Sequence, residues 1–206
     1  MTRSHLPIAA TGIAALFLGA ILAGAVLSPA SATHQPADKM AVAGATIEVT
    51  EPGEVTEILS GTMRASSPTD VIISLSLECS IITKVVTVGN DLSEAQAKIV
   101  AWVELDGVPV GVNTGDNGEV VFCDRTHRQQ TSLFDDDDAT IDTYLATRSS
   151  HAFNWIALNI GSGVHTFSVK TLLTETTSDD DAFADAVIGK RTLVVEPTKL
   201  ANDIVV

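Results

Sequence analysis

Val71-Ile72-Ile73-Ser74-Leu75-Ser76-Leu77-Glu78-Cys79 alternates apolar and polar side chains with a period of two. Val71, Ile73, Leu75, Leu77 and Cys79 share one face, and Ser74, Ser76 and Glu78 occupy the other. The stretch reads as a half-buried strand that turns Cys79 toward a core. Outward from it, Ala45 to Thr50, Val55 to Thr62, Ile81 to Val88, Glu119 to Arg125 and Arg191 to Glu196 read as further strands, with a weaker one near Thr140 to Ala146. Val121 and Cys123 share a face, so the second cysteine is also expected to point inward.

Two hairpins are registered from their own residues. Asp106-Gly107 is a two-residue type I′ turn signal that sets Leu105 opposite Val108, Val103 opposite Val110 and Ala101 opposite Val112. Trp102, Glu104 and Pro109 then share the other face, where Pro109 suits an edge because it cannot donate to a ladder. The second hairpin is expected over Phe153 to Leu173, turning at Ser162-Gly163. That register pairs Ile160 with His165, Leu158 with Phe167 and Ile156 with Val169, leaving Trp155 on the opposite face.

Short strands punctuated by Gly, Asn, Asp and Pro turns predict an all-β chain, a single antiparallel β-sandwich of roughly 8–10 strands, jelly-roll or immunoglobulin-like. Leu92 to Ala97 and Asp180 to Ala186 are expected as helical turns, and no internal repeat points to a solenoid or propeller. Gly163-Val164-His165-Thr166-Phe167-Ser168-Val169 resembles the start of a late strand in bacterial immunoglobulin-like modules. The resemblance covers this segment alone, implies a sandwich and implies no function.

Met1 to Ala32 reads as a cleaved signal peptide: Arg3 and His5 head it, Ile8 to Leu27 carry no charge, and Pro29 precedes the small-x-small site Ala30-Ser31-Ala32. Residues 33–43 are expected as a flexible lead-in and residues 44–206 as the sandwich domain. No second apolar stretch follows, so a secreted, extracellular protein without a membrane span after cleavage is expected. The formal charge of -14 argues against nucleic acid and anionic membranes as partners. In an oxidising compartment Cys79 and Cys123, the only two cysteines, are expected to form a disulfide. By loop-closure entropy such a bridge stabilises the fold by roughly 4 kcal/mol.

The acidic runs, Asp135, Asp136, Asp137 and Asp138 and then Asp179, Asp180 and Asp181, flank the second expected hairpin. On that topology they share one rim, with Asp142, Glu175 and Asp185 nearby, and the gathered charge is a candidate Ca2+ site. Neither run carries the EF-hand pattern, and a solvated acidic loop is the simpler reading. Asp116-Asn117-Gly118 reads as a turn. His34, His127, His151 and His165 lack metal-ligand spacing, His127 and His151 falling in polar loop stretches and His165 at the edge of the apolar face.

Trp102 and Trp155, on the faces opposite the apolar ones, are candidate ligand platforms for sugar rings. No catalytic residue is assigned, because the G-x-S-x-G elbow is missing and no carboxylate pair is distinguished. The reading is a non-catalytic extracellular binding or structural module that requires no cofactor, with an extracellular glycan or cell-surface protein as partner class. A Ca2+-dependent carbohydrate-binding module and a small extracellular hydrolase are the alternatives. A melting curve in Ca2+ and in EDTA separates the first two, and an unchanged midpoint in millimolar Ca2+ removes the metal.

Overall fold

The alternation of Val71 to Cys79 does not stop at Ser80. Cys79, Ile81, Thr83, Val85 and Thr87 continue the buried face, and Ser80, Ile82 and Lys84 the outer one. Two expected strands are therefore one strand of 20 residues. The computed structural model describes residues 39–45, 47–48, 52–88, 91–112, 116–131 and 140–199. Its strands are β1 (Met40–Gly44), β2 (Ile47–Glu48), β3 (Val55–Ala65), β4 (Thr69–Val88), β5 (Leu92–Leu105), β6 (Val108–Pro109), β7 (Val120–Gln130), β8 (Thr140–Ile160), β9 (Gly163–Thr177) and β10 (Phe183–Thr198). The signal-peptide segment lies outside the described residues. Among those described, no helix is long and apolar enough to cross a membrane.

One sheet runs β1-β10-β4-β8, with β2 also on β10; the other runs β3-β9-β5, with β6 and β7 on the free side of β5. Every ladder is antiparallel. Setting aside the two-residue β2 and β6, the strands form nested pairs: β1 with β10, β3 with β9, β4 with β8, β5 with β7. Successive pairs alternate between the sheets, which is the wrap of a jelly roll. The sandwich expectation thus holds, and the strand order selects the jelly roll over the immunoglobulin-like form.

The core lies between the sheets. Val71, Ile73, Leu75 and Leu77 of β4 face Ala95, Ala97, Ile99 and Val103 of β5, with Phe167, Val169 and Leu173 of β9 and Ile188, Leu193 and Val195 of β10 completing it. Small alanines on central β5 let the sheets approach while the larger β4 side chains fill the space. Cys79 and Cys123 form the expected disulfide, Cα atoms 6.7 Å apart, and it joins β4 in one sheet to β7 in the other.

Arg191 is a second tie between the sheets. At a bulge in β10 it is buried, donating from Nε to the Ile58 carbonyl of β3 at 3.0 Å and from Nη1 to the carbonyls of Ala45 and of Gly189, the last at 3.2 Å. Burial lowers its pKa. Arg191→Met keeps the stem and strands these carbonyls, so we expect a loss of about 1–3 kcal/mol in urea unfolding.

Several expectations are corrected. The Phe153 to Leu173 hairpin does not form: β8 pairs with β4 and β9 with β3 and β5. Ile160 lies opposite Thr69 and Gly163 opposite Ala65, so residues 161–162 cross between sheets beside the β3–β4 connection. The face of β8 is also inverted. Trp155 and Phe153 point inward while Ile156 and Leu158 are 42% and 40% exposed, because the aromatic pair buries more area. A register shift between Thr69 and Val71, with Asn159 at φ 52°, returns Ile160 to the core.

Leu92 to Ala97 belongs to β5, with Ser93, Ala95 and Ala97 buried, and Phe183 to Ala186 begins β10. Met40 to Ala43, expected in the lead-in, pair with Val195 to Thr192, and Met40 and Val42 are buried. The Asp106-Gly107 turn holds, with φ of 52° and 81° and Leu105 opposite Val108. Val110 donates its amide to the Val103 carbonyl at 2.9 Å, but Ala101 pairs with Val120 of β7 rather than with Val112. A bulge at Ile99/Val100 buries Phe122 beside Cys123 and leaves Val121 53% exposed, so those two do not share a face.

Candidate functional site: the cleft between β7 and β8

Strands β7 and β8 lie on the same side of the sandwich, one at the margin of each sheet, and β7 is joined to β4, the neighbour of β8, by the disulfide. On the inner face of β8, Trp155 is 1% exposed and Phe153 packs on the core. Farther along that face, Thr147, Ser149 and His151 are all exposed. The inner face of β7 carries Cys123 and Arg125, with His127 and Gln129 next in line. A cleft of about 260 Å³ opens between the strands, lined by the disulfide, Ile81, Phe122, Asp124, Arg125, Thr147, Arg148, Ser149 and His151.

Polar chemistry dominates its mouth. His151 Nε2 and Ser149 Oγ share a hydrogen bond of 2.9 Å, and Ser149 Oγ lies 4.0 Å from Cys79 Sγ. Arg148 donates from Nε to Ser80 Oγ at 3.0 Å and sits 3.7 Å from the Glu78 carboxylate. Asp124 accepts from Gln96 Nε2 at 2.8 Å. Among the described residues, Arg125 has no carboxylate at ion-pair distance.

Beyond Arg125 the inner faces turn polar. Thr83 and Thr87 of β4 are fully buried, and among the described residues their hydroxyls have no hydrogen-bond partner. Among the described residues the same holds of His127 Nδ1 and Gln129 Oε1 of β7.

The two Trp residues part company. Trp155 donates its indole N–H to the Gly118 carbonyl at 2.8 Å, stacks on Phe122 at 6.3 Å and meets Phe153 edge-on at 4.8 Å. It is a core residue and presents no platform. Trp102 is half-buried on the outer face of β5, its Nε1 3.3 Å from Glu104 Oε1.

The acidic runs also separate. Asp135 to Asp138 lie outside the described residues. Asp179 closes the β9–β10 turn, accepting from Ser93 Oγ and Ser178 Oγ at 2.8 Å each and from the Ala182 amide at 2.7 Å. Its carboxyl is held below the usual range, chiefly by Ser178 and against burial, with Ser93 and the amides adding to it. Asp180 and Asp181 are exposed in the same turn. Asp142 pairs with Lys84 at 3.4 Å, and Glu175 is pushed up by burial and then by Asp185. Asp116 accepts the Val112 and Gly118 amides at 2.7 and 2.9 Å, closing the turn read from the sequence. Gly118 there has φ 68°, and a Cβ would strike the Val110 carbonyl.

His127 and His151 sit on strands rather than in loops, and His165 is the hydrogen-bonded edge residue expected. His165 Nδ1 faces Asp106 Oδ2 at 2.8 Å and Nε2 faces the Gly161 carbonyl at 2.9 Å, so the doubly protonated ring satisfies both acceptors. Its pKa is raised by Asp106 first and Gly161 second, against burial. Burial pushes Asp106 up, but the Thr166 amide and His165 outweigh it and hold the carboxyl low. A raised His stabilises fully below its unfolded value of 6.5 and stops doing so as pH rises through its higher folded value. A lowered Asp stabilises above 3.8 and stops as pH falls through its lower folded value. The pair is thus strongest between those two limits. We expect His165→Gln to remove a decline in stability as pH rises above 6.5, worth no more than about 1 kcal/mol for so exposed a carboxylate, as read by melting curves against pH.

No family model matches this chain, and no curated protein matches it in sequence. Among solved structures, a chain from the structure of infectious bursal disease virus Gx strain is 9% identical with a TM-score of 0.31, covering 80% of this chain and 33% of its own length. A chain from the Gt strain structure is 11% identical with a TM-score of 0.13, covering 81% and 43%. This chain therefore spans about a third of the first and less than half of the second. Neither superposition is close enough to bear on fold or function.

Proposed function

We propose that the protein is a secreted, non-catalytic extracellular binding module and that the cleft between β7 and β8 is its binding site. One observation carries this reading. The inner faces of two strand margins, which a purely structural sandwich would close with apolar side chains, instead hold Arg125, Thr147, Ser149 and His151 around an open cleft. The intersheet disulfide is in keeping with an oxidising compartment.

The Ser149–His151 contact is the one arrangement that speaks for the hydrolase reading. A general base is normally oriented by a third group, and among the described residues none holds the exposed His151 ring from its other nitrogen. The test is a glycan and surface-protein array probed with wild type and with Thr147→Trp, which fills the cleft from an exposed strand position. Binding that disappears in the variant is the expected result; binding that persists places the site elsewhere. Turnover of nitrophenyl esters or glycosides that Ser149→Ala abolishes would refute the non-catalytic reading.

A further inference from the structure

We infer that the cleft takes a small acidic sugar, its single anionic group held by Arg125 and its hydroxyls by Thr147, Ser149 and His151. This rests on the cleft being the binding site and names its ligand class.

Charge is the first argument. The chain carries a formal -14, yet Arg125 lines this cleft from the inner face of β7. The Arg148 guanidinium is taken up by Ser80 and Glu78 on the outer face of β4, and the cleft's own carboxylate, Asp124, is engaged by Gln96. Arg125 has no carboxylate partner among the described residues. Guanidinium groups hold carboxylate and sulfate oxygens by paired N–H donors.

Size and neutral chemistry narrow the class. About 260 Å³ lies just under the span of pockets that take drug-sized molecules, and suits a ligand of one ring. Thr147, Ser149 and His151 offer hydroxyl and imidazole groups that both donate and accept, as ring hydroxyls require. The field of the whole chain repels a long polyanion, so the ligand is one acidic residue, free or at the end of a glycan.

Isothermal titration of the exported protein with glucuronate tests this, with glucose, acetate and inorganic sulfate as separate arms at matched ionic strength. Glucuronate is expected to bind, with glucose, acetate and sulfate each weaker by roughly tenfold or more, since each lacks one half of the contacts. Arg125→Gln is expected to weaken glucuronate binding by a similar factor with its far-UV circular dichroism unchanged. Should Arg125→Gln fail to fold, His151→Ala, at an exposed strand position lining the cleft, is expected to weaken glucuronate binding in its place. Glucose binding as tightly as glucuronate would overturn the anionic assignment, and sulfate binding as tightly would overturn the sugar. Silence in every arm, while the array still shows binding that Thr147→Trp removes, rejects the ligand class and leaves the binding site standing.

Discussion

Trp155→Ala is expected to lower unfolding stability by about 3–5 kcal/mol, a large share of what a domain of this size has to lose. Trp155 is 1% exposed, and its ring contacts Phe122 of β7 and Phe153 of β8. Its indole N–H also satisfies the Gly118 carbonyl at 2.8 Å. Truncation therefore removes apolar burial, opens a cavity between β7 and β8 and leaves a carbonyl without its donor. Trp155→Phe isolates the parts: it retains most of the packing and loses the hydrogen bond, so about 1–3 kcal/mol is expected from urea unfolding. Equal losses in the two variants would mean that the ring is not packed as described.

Removing the disulfide is the second large effect. Cys79→Ala with Cys123→Ala releases a link spanning 44 residues, for an expected loss of about 4 kcal/mol on the loop-entropy model. In a chain of this length that lowers the melting midpoint by roughly 8–16 °C. The loss is also expected to be local. Hydrogen exchange should quicken first in β7, which among the described residues pairs only with β5 and is tied to the opposite sheet at Cys123. Free thiols in the purified protein, found by alkylation and intact mass, would contradict the bridge.

The sequence made β4 legible because period-two alternation is a local property, and the Asp106-Gly107 turn because positive φ at both central residues leaves few choices. The same local reasoning failed over Phe153 to Leu173. Nearness in sequence favours a hairpin, but in a jelly roll Trp155 pairs with Ile73 and Phe167 with Gly61 and Leu105. Those pairings are decided by burial across the whole chain. Leu92 to Ala97 misled for a related reason: Glu94, Ala95, Gln96 and Ala97 favour helix intrinsically, while Ser93, Ala95 and Ala97 meet the packed face of β4.

The cleft was still less accessible. Arg125, His127 and Gln129 alternate visibly, but whether that polar face meets solvent, a core or a second polar face depends on which sheet each strand joins. The expected rim of carboxylates had been drawn on the hairpin. In the jelly roll, Gln130 lies opposite Leu92 and Thr140 opposite Val88, while β9 ends near Ala95 and β10 begins at Lys84. The strand ends flanking the acidic runs do gather at one end of the sandwich, by long-range pairing and not by a turn at Ser162-Gly163. Asp179, the one carboxylate there whose contacts are defined by several donors, holds its own turn.

Ligand recognition between β7 and β8 is tested by an amide chemical-shift map of the 15N-labelled protein titrated with glucuronate. Shifts are expected to centre on Arg125, Thr147, Arg148, Ser149 and His151, with the amides around Trp102 and in the 178–182 turn unmoved. Shifts centred on Trp102 or on that turn, with the cleft silent, would contradict it.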